Sequence, residues 1–522
     1  MSDIKKSILF IHPPLSKLCE PSPGIAKLTG ALNAAEIDCR VYDANLTGFM
    51  DLLQQPVKAN DTWSKRAFRN IEKNINDLSS KEIYSNIDRY KRAVMDINRV
   101  IQISGRVFDV DLSLSNYSSS ILSPVRSEDL LQAAEKFERN PFYDSFRTRL
   151  LALFLEREPD IVGFSVNFMS QALCAFAMAG FIRKRFSGIR IVFGGGLITS
   201  WMNIPGFKNP FAGLIDDLVC GPGEDFLLDI CGGGNKILHS LTRYDYSVFE
   251  MERYLSPIPV IPYSTARGCY WQKCAFCPEK SEKGGYQPVD IRDIGPDLAQ
   301  LNTPAGPYLI HFTDNALSPK FLKYVIKNPP KAPWYGFVRI TDHLADPDFV
   351  RGLKASGCVM LKLGVESGDQ AVLDALNKGI DLDIVSTVLN TLKNAGIATY
   401  VYLLFGTPAE DAARAQKTLE FTITHAHAID FLNLAVFNLP AYSEDARELD
   451  TVEFYQGDLS LYKGFVHPKG WNRDKVRPFL SKTFKKSPAI KAILNHDPPF
   501  FTSNHAPFLV MGKENQWDVS EN

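Results

Sequence analysis

The sequence predicts an α/β protein made of two successive parallel sheets. The first is a flavodoxin-like (Rossmann-type) doubly wound sheet, the second an incomplete (β/α)6 TIM-like barrel, and a C-terminal cap follows. Three observations predict this. Short β-branched runs alternate with apolar-periodic helical stretches in both halves, the rhythm of parallel sheets. Several runs end on glycine-rich or polar segments, where ligands sit in such folds. And 522 residues give room for about two to four domains at roughly 150 residues each. The expected division is 1–245, 246–445 and 446–522.

In the first part, strands are expected at 7–12, 39–43, 160–166, 190–193 and 214–219. Pro23-Gly24 opens an apolar-periodic helix reaching about Ala35, and a second helix fills 171–186. Residues 46–150 interrupt the sheet with helical spacing at Ala67, Ile71, Ile75 and Leu78, then a Ser-rich turn region at 116–120. Lys65, Arg66, Arg69 and Lys73 lie among acidic residues there, which reads as a solvated helix face rather than an RNA surface.

A second βα rhythm places strands at 260–265, 308–312, 334–340, 360–365, 399–405 and 432–438. In barrels of this kind the segments after the strand C-termini carry the chemistry. The last part, 446–522, has no repeat. Its Phe465, Trp471, Phe479, Phe500, Phe501, Asn504, His505 and Phe508 suit a cap over the barrel better than a substrate cavity.

Lys and Arg number 58 against 59 Asp and Glu, a net charge of -1, so nucleic acid is not the expected partner. Nine cysteines are too few for a disulfide scaffold. The apolar run at the start is broken early by Pro13 and Pro14 and does not read as a signal peptide, so a cytoplasmic protein is expected. The uncharged stretch 161–182 contains Gly163, Ser165, Asn167, Ser170 and Gln171 and fits strand, turn and helix rather than a membrane span.

The strongest local signal is Arg-Gly-Cys269-Tyr-Trp-Gln-Lys-Cys274-Ala-Phe-Cys277-Pro, just after the first expected barrel strand. A structural zinc ion wants four closed ligands, and His239 and His311 lie about thirty residues or more away. Three thiolates suit an iron-sulfur cluster with one iron left open to substrate or cofactor. In the sheet, loops at strand C-termini hold Pro13-Pro14, Ser165-Val-Asn167-Phe-Met-Ser170, Gly194-Gly195-Gly196-Leu-Ile-Thr199 and Gly221-Pro-Gly-Glu224. Glycines there let a bulky ligand approach the backbone.

The cysteine segment resembles that of radical S-adenosylmethionine enzymes, although four residues separate the first two cysteines where that family usually has three. The resemblance implies a 4Fe-4S cluster on Cys269, Cys274 and Cys277, with Phe276 beside the adenine of S-adenosylmethionine. It further implies Thr313, Asp314 and Asn315 at the methionyl amino group and Arg339 at the carboxylate. Glu366 and Ser367 would then lie at the ribose and Gly406 at the adenine. The glycine loops resemble the cobalamin-binding domain found at the N-terminus of one branch of that family. This implies cobalamin contacts from Pro14, Ser165, Asn167, Ser170, Gly194, Gly195, Gly196, Thr199, Gly221 and Glu224. None of the nine histidines follows an aspartate by two residues, so the cobalt is expected to lack the usual histidine ligand, His12 being the one nearby candidate.

The resemblance covers about 7–45 and 155–445. It implies a C-methyltransferase acting on an unactivated carbon of a small-molecule or peptide substrate, with an external electron donor of flavodoxin or ferredoxin type. A 5'-deoxyadenosyl radical would take hydrogen from the substrate and methylcobalamin would supply the methyl group. Rearrangement, cyclisation or oxidation with the same cofactors remains open, as does a zinc-stabilised binding protein from another class.

Overall fold

The computed structural model describes residues 5–55, 57, 59–233, 243–282, 284–299, 301, 308–499 and 505–511. His239, Phe500, Phe501 and Asn504 lie outside the described residues.

The first sheet is built from β1 (Ile8–His12), β2 (Cys39–Asp43), β3 (Ile161–Ser165), β4 (Arg190–Gly194) and β5 (Asp217–Leu218). Its order is 2-1-3-4-5 with every pair parallel, the flavodoxin-like arrangement. All residues of β1 and β3 are buried, as expected of continuous apolar runs covered by helices on both faces. The helix Pro23–Ala34 starts where Ser22 accepts from the Ile25 amide and a proline holds the first turn.

Six further strands follow: β6 (Val260–Tyr263), β7 (Leu309–Leu317), β8 (Trp334–Val338), β9 (Cys358–Glu366), β10 (Ala398–Phe405) and β11 (Phe431–Val436). They form one parallel sheet in consecutive order, with β6 and β11 at its two edges. The helix His505–Met511 plugs the N-terminal end of this partial barrel. The His505 ring lies 4.3 Å from that of Tyr400 and 4.8 Å from that of Phe431, and Phe508 packs between Tyr84 and Tyr90 of the insertion. The two sheets are tied by the Leu255 amide donating to the Leu18 carbonyl at 2.8 Å and by the Tyr254 hydroxyl on Asp43.

Several expectations need correction. The helical spacing across 67–78 is divided between two helices, Thr62–Arg69 and Ile71–Leu78, because Asn70 caps the end of one and the start of the next. The Ser-rich region is half of a hairpin, Tyr117–Ser119 on Val110–Leu112. The fifth strand shrinks to two residues. The second barrel strand runs on to Leu317 through a register shift, so 313–315 are strand rather than loop. Arg66 pairs with the buried Asp96 and Lys73 with Asp77. The 161–182 stretch is β3 and part of the helix Met169–Arg185, and no described helix is long and apolar enough to cross a membrane.

The insertion is docked tightly. A Cβ on Gly180 of the helix Met169–Arg185 would stand 1.9 Å from the Ala134 carbonyl oxygen of the helix Ser127–Glu135. Gly180→Ala should therefore cost about 1–3 kcal/mol, read as a lower urea midpoint at unchanged slope. An unaltered midpoint would show that these helices do not touch.

Candidate functional site

The two sheets present their strand C-termini to one crevice. On the barrel side, Ala266–Arg267 pairs antiparallel with Gln287–Pro288, and the loop between them carries the three cysteines. Gly268 enters it at φ 72°, and a Cβ there would meet the Gly285 carbonyl oxygen at 2.8 Å. This position therefore requires glycine.

The far end of the cysteine loop rests on the segment 376–379. The Ala275 amide donates to the Leu376 carbonyl at 2.9 Å and Trp271 Nε1 to the Asn377 carbonyl at 3.2 Å. The Arg339 guanidinium lies 4.2 Å from the Trp271 ring centre, donates to the Lys378 carbonyl and stands 3.7 Å from Cys274 Sγ. Lys378 Nζ pairs with Glu366 at 2.7 Å and sits 5.5 Å from the Phe276 ring. Cys274, Phe276, Arg339 and Glu366, far apart in sequence, thus meet around one residue that the sequence reading missed. Lys378 is buried, and a signal was present. Asn377 and Gly379 flank it with positive φ, and an Asn-Lys-Gly turn after a helix is where such backbone occurs. Glu366 itself holds φ 68°, a conformation of the kind that clusters at functional sites.

The donor set fits an iron-sulfur cluster. Amides of Glu279 and Lys280 donate to the Cys277 thiol, and Arg339 and Lys378 lower the cost of negative charge at Cys274. Against them, burial pushes the Cys277 thiol up to about 11 and Cys274 upward as well, so iron binding must release protons there. Among the described residues no three His, Cys, Asp or Glu side chains gather closely enough for a single ion. A four-iron cluster places its thiolates on separate irons, so its ligands stand around a volume rather than at a point.

Three consecutive residues, Thr313, Asp314 and Asn315, are expected at one ligand. Side chains alternate along a strand, and the structure separates them. Thr313 and Asn315 face the crevice, while Asp314 is buried behind, accepting from the Thr265 amide and, at 2.6 Å, from its hydroxyl. Burial pushes Asp314 up to about 6. Ser367 is likewise turned away, its hydroxyl 3.1 Å from that of Thr418 and accepting from the Asp369 amide. Arg339 is occupied by protein partners rather than free-standing.

Gly406 turns at φ 78° and donates its amide to Glu410 Oε2 at 2.6 Å, an oxygen that also accepts from Trp471 Nε1 at 2.9 Å. Trp471 and His467, whose Nε2 donates to the Thr407 carbonyl, bring the C-terminal part over this turn. The C-terminal aromatics thus serve both ends of the barrel. Burial pushes Glu410 from 4.5 to about 7. The fold then holds this proton more tightly than the unfolded chain does. Its stabilising contribution is full below about pH 4.5 and is lost as pH rises through about 7, roughly 3 kcal/mol in all. Glu410→Gln should raise Tm relative to the native protein at about pH 8 and alter it little at about pH 5. The same change at both would show that this carboxyl titrates normally.

On the other side of the crevice lies a cavity of about 1040 Å³, at the upper end of the range for small-molecule sites. It opens at the strand ends of the first sheet, where order reverses between β1 and β3, the expected ligand position. Of the residues the resemblance implies, Ser165, Asn167, Gly194, Gly195, Gly221 and Glu224 line it. Pro14, Ser170, Gly196 and Thr199 do not. Ser170 is spent on the Leu15 carbonyl at 2.7 Å and Thr199 on the Gly221 amide at 3.0 Å, so both brace the lining loops from behind. Lining residues missed in the sequence are Lys27, paired with Glu224 at 3.2 Å, and Arg267 from the barrel side. Only contact across the crevice reveals them. His12 is buried with Nε2 2.8 Å from the Ser16 hydroxyl and is not part of the lining.

Comparison with known proteins bears on the barrel and on the fold as a whole. Residues 263–422 match the model of the radical SAM superfamily. The match lies within the barrel and covers less than half of the chain. The radical SAM methyltransferase TsrM from Kitasatospora setae, solved with tryptophan and an S-adenosylmethionine analogue, superposes with TM-score 0.55 over 97% of this chain and 95% of that one at 14% identity. With cobalamin and a [4Fe-4S] cluster bound, TsrM gives 0.51 over 85% and 78%. At this identity the likeness establishes a shared fold. The anaerobic magnesium-protoporphyrin IX monomethyl ester cyclase of Rubrivivax gelatinosus is 26% identical over 47% of this chain and 48% of its own length. That of Cereibacter sphaeroides is 23% identical over 48% and 43%. The matched stretch thus spans about half the length of these relatives or less.

Proposed function

We propose that this protein is a cobalamin-dependent radical S-adenosylmethionine enzyme that methylates an unactivated carbon of a small-molecule or peptide substrate. The observation that carries the reading is the crevice itself. Arg267, Gly268 and Glu279, which flank the three cysteines, line a tetrapyrrole-sized cavity in a glycine-lined doubly wound sheet together with Thr313 and Asn315 of β7, and Arg339 and Lys378 back Cys274. The cofactors would supply reductive cleavage of S-adenosylmethionine and methyl transfer when bound.

The chain's own part is placement. Cys269, Cys274 and Cys277 would hold the cluster, and Phe276, Lys378 and Glu366 would bound the cosubstrate. Gly194, Gly195 and Gly221 would let the corrin tail lie against backbone. His12 lies outside the cavity lining and would not ligate the cobalt. Electrons would come from a flavodoxin- or ferredoxin-type donor.

The likeness to the cyclases favours a second reading, a non-methylating oxidation or cyclisation with the same cofactors. Product mass separates the two. Anaerobically reconstituted protein, given methyl-labelled S-adenosylmethionine, a reductant and a substrate panel that includes tryptophan, should yield a product one labelled methylene heavier. A product lighter by hydrogen and free of label supports the second reading. Failure to take up cobalamin on anaerobic reconstitution overturns both.

A further inference from the structure

A buried polar chain runs from the loop after β1 into the barrel, and the chemistry above makes no use of it. Lys17 Nζ donates to Glu20 Oε1 at 2.9 Å, Glu20 Oε2 lies 2.8 Å from His311 Nδ1, and His311 Nε2 lies 3.0 Å from Lys362 Nζ. Glu20, His311 and Lys362 are each less than a tenth exposed. His311 belongs to β7 and Lys362 to β9, and alternation turns both inward. The His311 ring stacks on Tyr335 at 4.5 Å, and Lys362 Nζ stands 5.0 Å from the ring of Tyr335 and 5.1 Å from that of Phe337.

Burial pushes His311 down to about 4, so its imidazole is neutral at pH 7. Nδ1 then donates to the Glu20 carboxylate and Nε2 accepts from Lys362. Glu20 is already matched by Lys17. Among the described residues no carboxylate lies at ion-pair distance from Lys362. Its nearest partners are a neutral imidazole and two ring faces, and burial pushes the ammonium down to about 7. Glu20 favours the ammonium only from beyond the imidazole; a buried cation with no carboxylate in contact is costly, and the cost falls when an anion reaches it.

The open side is visible in the burial pattern. The inward residues nearer the strand C-termini, Gly364 and Tyr402 one step on and Leu404 and Ala435 two, are half-buried, as is Phe337, which pairs with Lys362. Tyr335, His311 and Lys362 below them are closed off. Lys362 therefore lies at the floor of the barrel mouth with two N–H donors not directed at His311. Two donors match the two oxygens of a carboxylate, whereas a phosphate dianion asks for more.

We propose that Lys362 is the anchor for a carboxylate on the substrate, held at the floor of the barrel mouth with an apolar or aromatic body against Phe337 and Tyr402. This rests on the barrel mouth being the substrate chamber of the enzyme proposed above, and it narrows the substrate to an anionic small molecule or a peptide acid.

The test compares indole-3-acetate with its neutral isostere indole-3-acetamide, titrated by calorimetry into the anaerobically reconstituted protein and its Lys362→Met variant. The acetate should bind the native protein at least tenfold more tightly than the amide, and Lys362→Met should erase that difference. The ligand-free variant should melt no lower than the native protein, because a linear apolar chain replaces an unmatched cation. Equal binding of the two probes, no binding of either, or a fall in Tm of Lys362→Met would each overturn the anchor, the last by showing that the ammonium is already satisfied inside the protein. Cluster absorbance and S-adenosylmethionine cleavage by the native protein are measured separately. Their absence would defeat the functional reading while leaving the probe comparison standing.

Discussion

Replacing Cys269, Cys274 and Cys277 together by Ala is expected to remove the brown iron-sulfur absorbance completely and with it all cleavage of S-adenosylmethionine. The effect should be total because thiolates are the cluster's protein ligands. Backbone changes should be slight. The loop is anchored independently, through the Ala275 amide on Leu376, Trp271 on Asn377 and the hairpin at Arg267. Circular dichroism and Tm of the cluster-free native protein and of the triple variant should therefore agree closely. Four irons per chain in the triple variant would show that other residues hold the metal, and the three-cysteine assignment would fall.

Gly195→Val should abolish retention of cobalamin while leaving iron content near that of the native protein. Gly195 lies in the cavity wall at φ 104° and ψ 176°, a region open essentially to glycine alone. A Cβ there would stand 2.5 Å from the Val166 carbonyl oxygen and 2.9 Å from Asn167 Oδ1. Asn167 Oδ1 also accepts from the Gly196 amide at 2.9 Å, so the clash spreads through the joint between β3 and β4. A β-branched side chain adds χ1 restriction to the backbone strain. The loop must move, and the cavity wall moves with it. The cysteine loop belongs to the other sheet and does not share these contacts. Cobalamin bound at native stoichiometry after gel filtration would show that this wall is not part of its site.

Much of the architecture was legible because parallel strands buried on both faces are continuous apolar runs. Most of the eleven expected strands are runs of this kind, and all eleven are present, in the flavodoxin-like order and then in consecutive order. The errors follow one pattern. Where an element is short or depends on a distant neighbour, local spacing misleads. Asn70 splits a helical period, β5 keeps two residues, and β7 continues past Phe312 because β8 is there to pair with Leu317.

The sequence by itself determined the order of the two sheets, the cysteine loop after the first strand of the second, and the turns at Gly195 and Gly406, because each is a property of neighbouring residues: hydrophobic period, ligand spacing, permitted φ. Tertiary structure alone decided which side chains those segments point at one another. Alternation along β7 sends Thr313 and Asn315 to the crevice and Asp314 behind it. Packing spends Ser170, Thr199 and Ser367 on bracing contacts. Lys378 joins Glu366, Phe276 and Arg339, and Lys362 is left facing the barrel mouth with no carboxylate at ion-pair distance among the described residues. The physical reason is range. Backbone preference and hydrophobic period act over a few residues, whereas the field and the hydrogen-bond partners of a buried charge come from strands that are dozens of residues apart in the chain and a few ångströms apart in the fold.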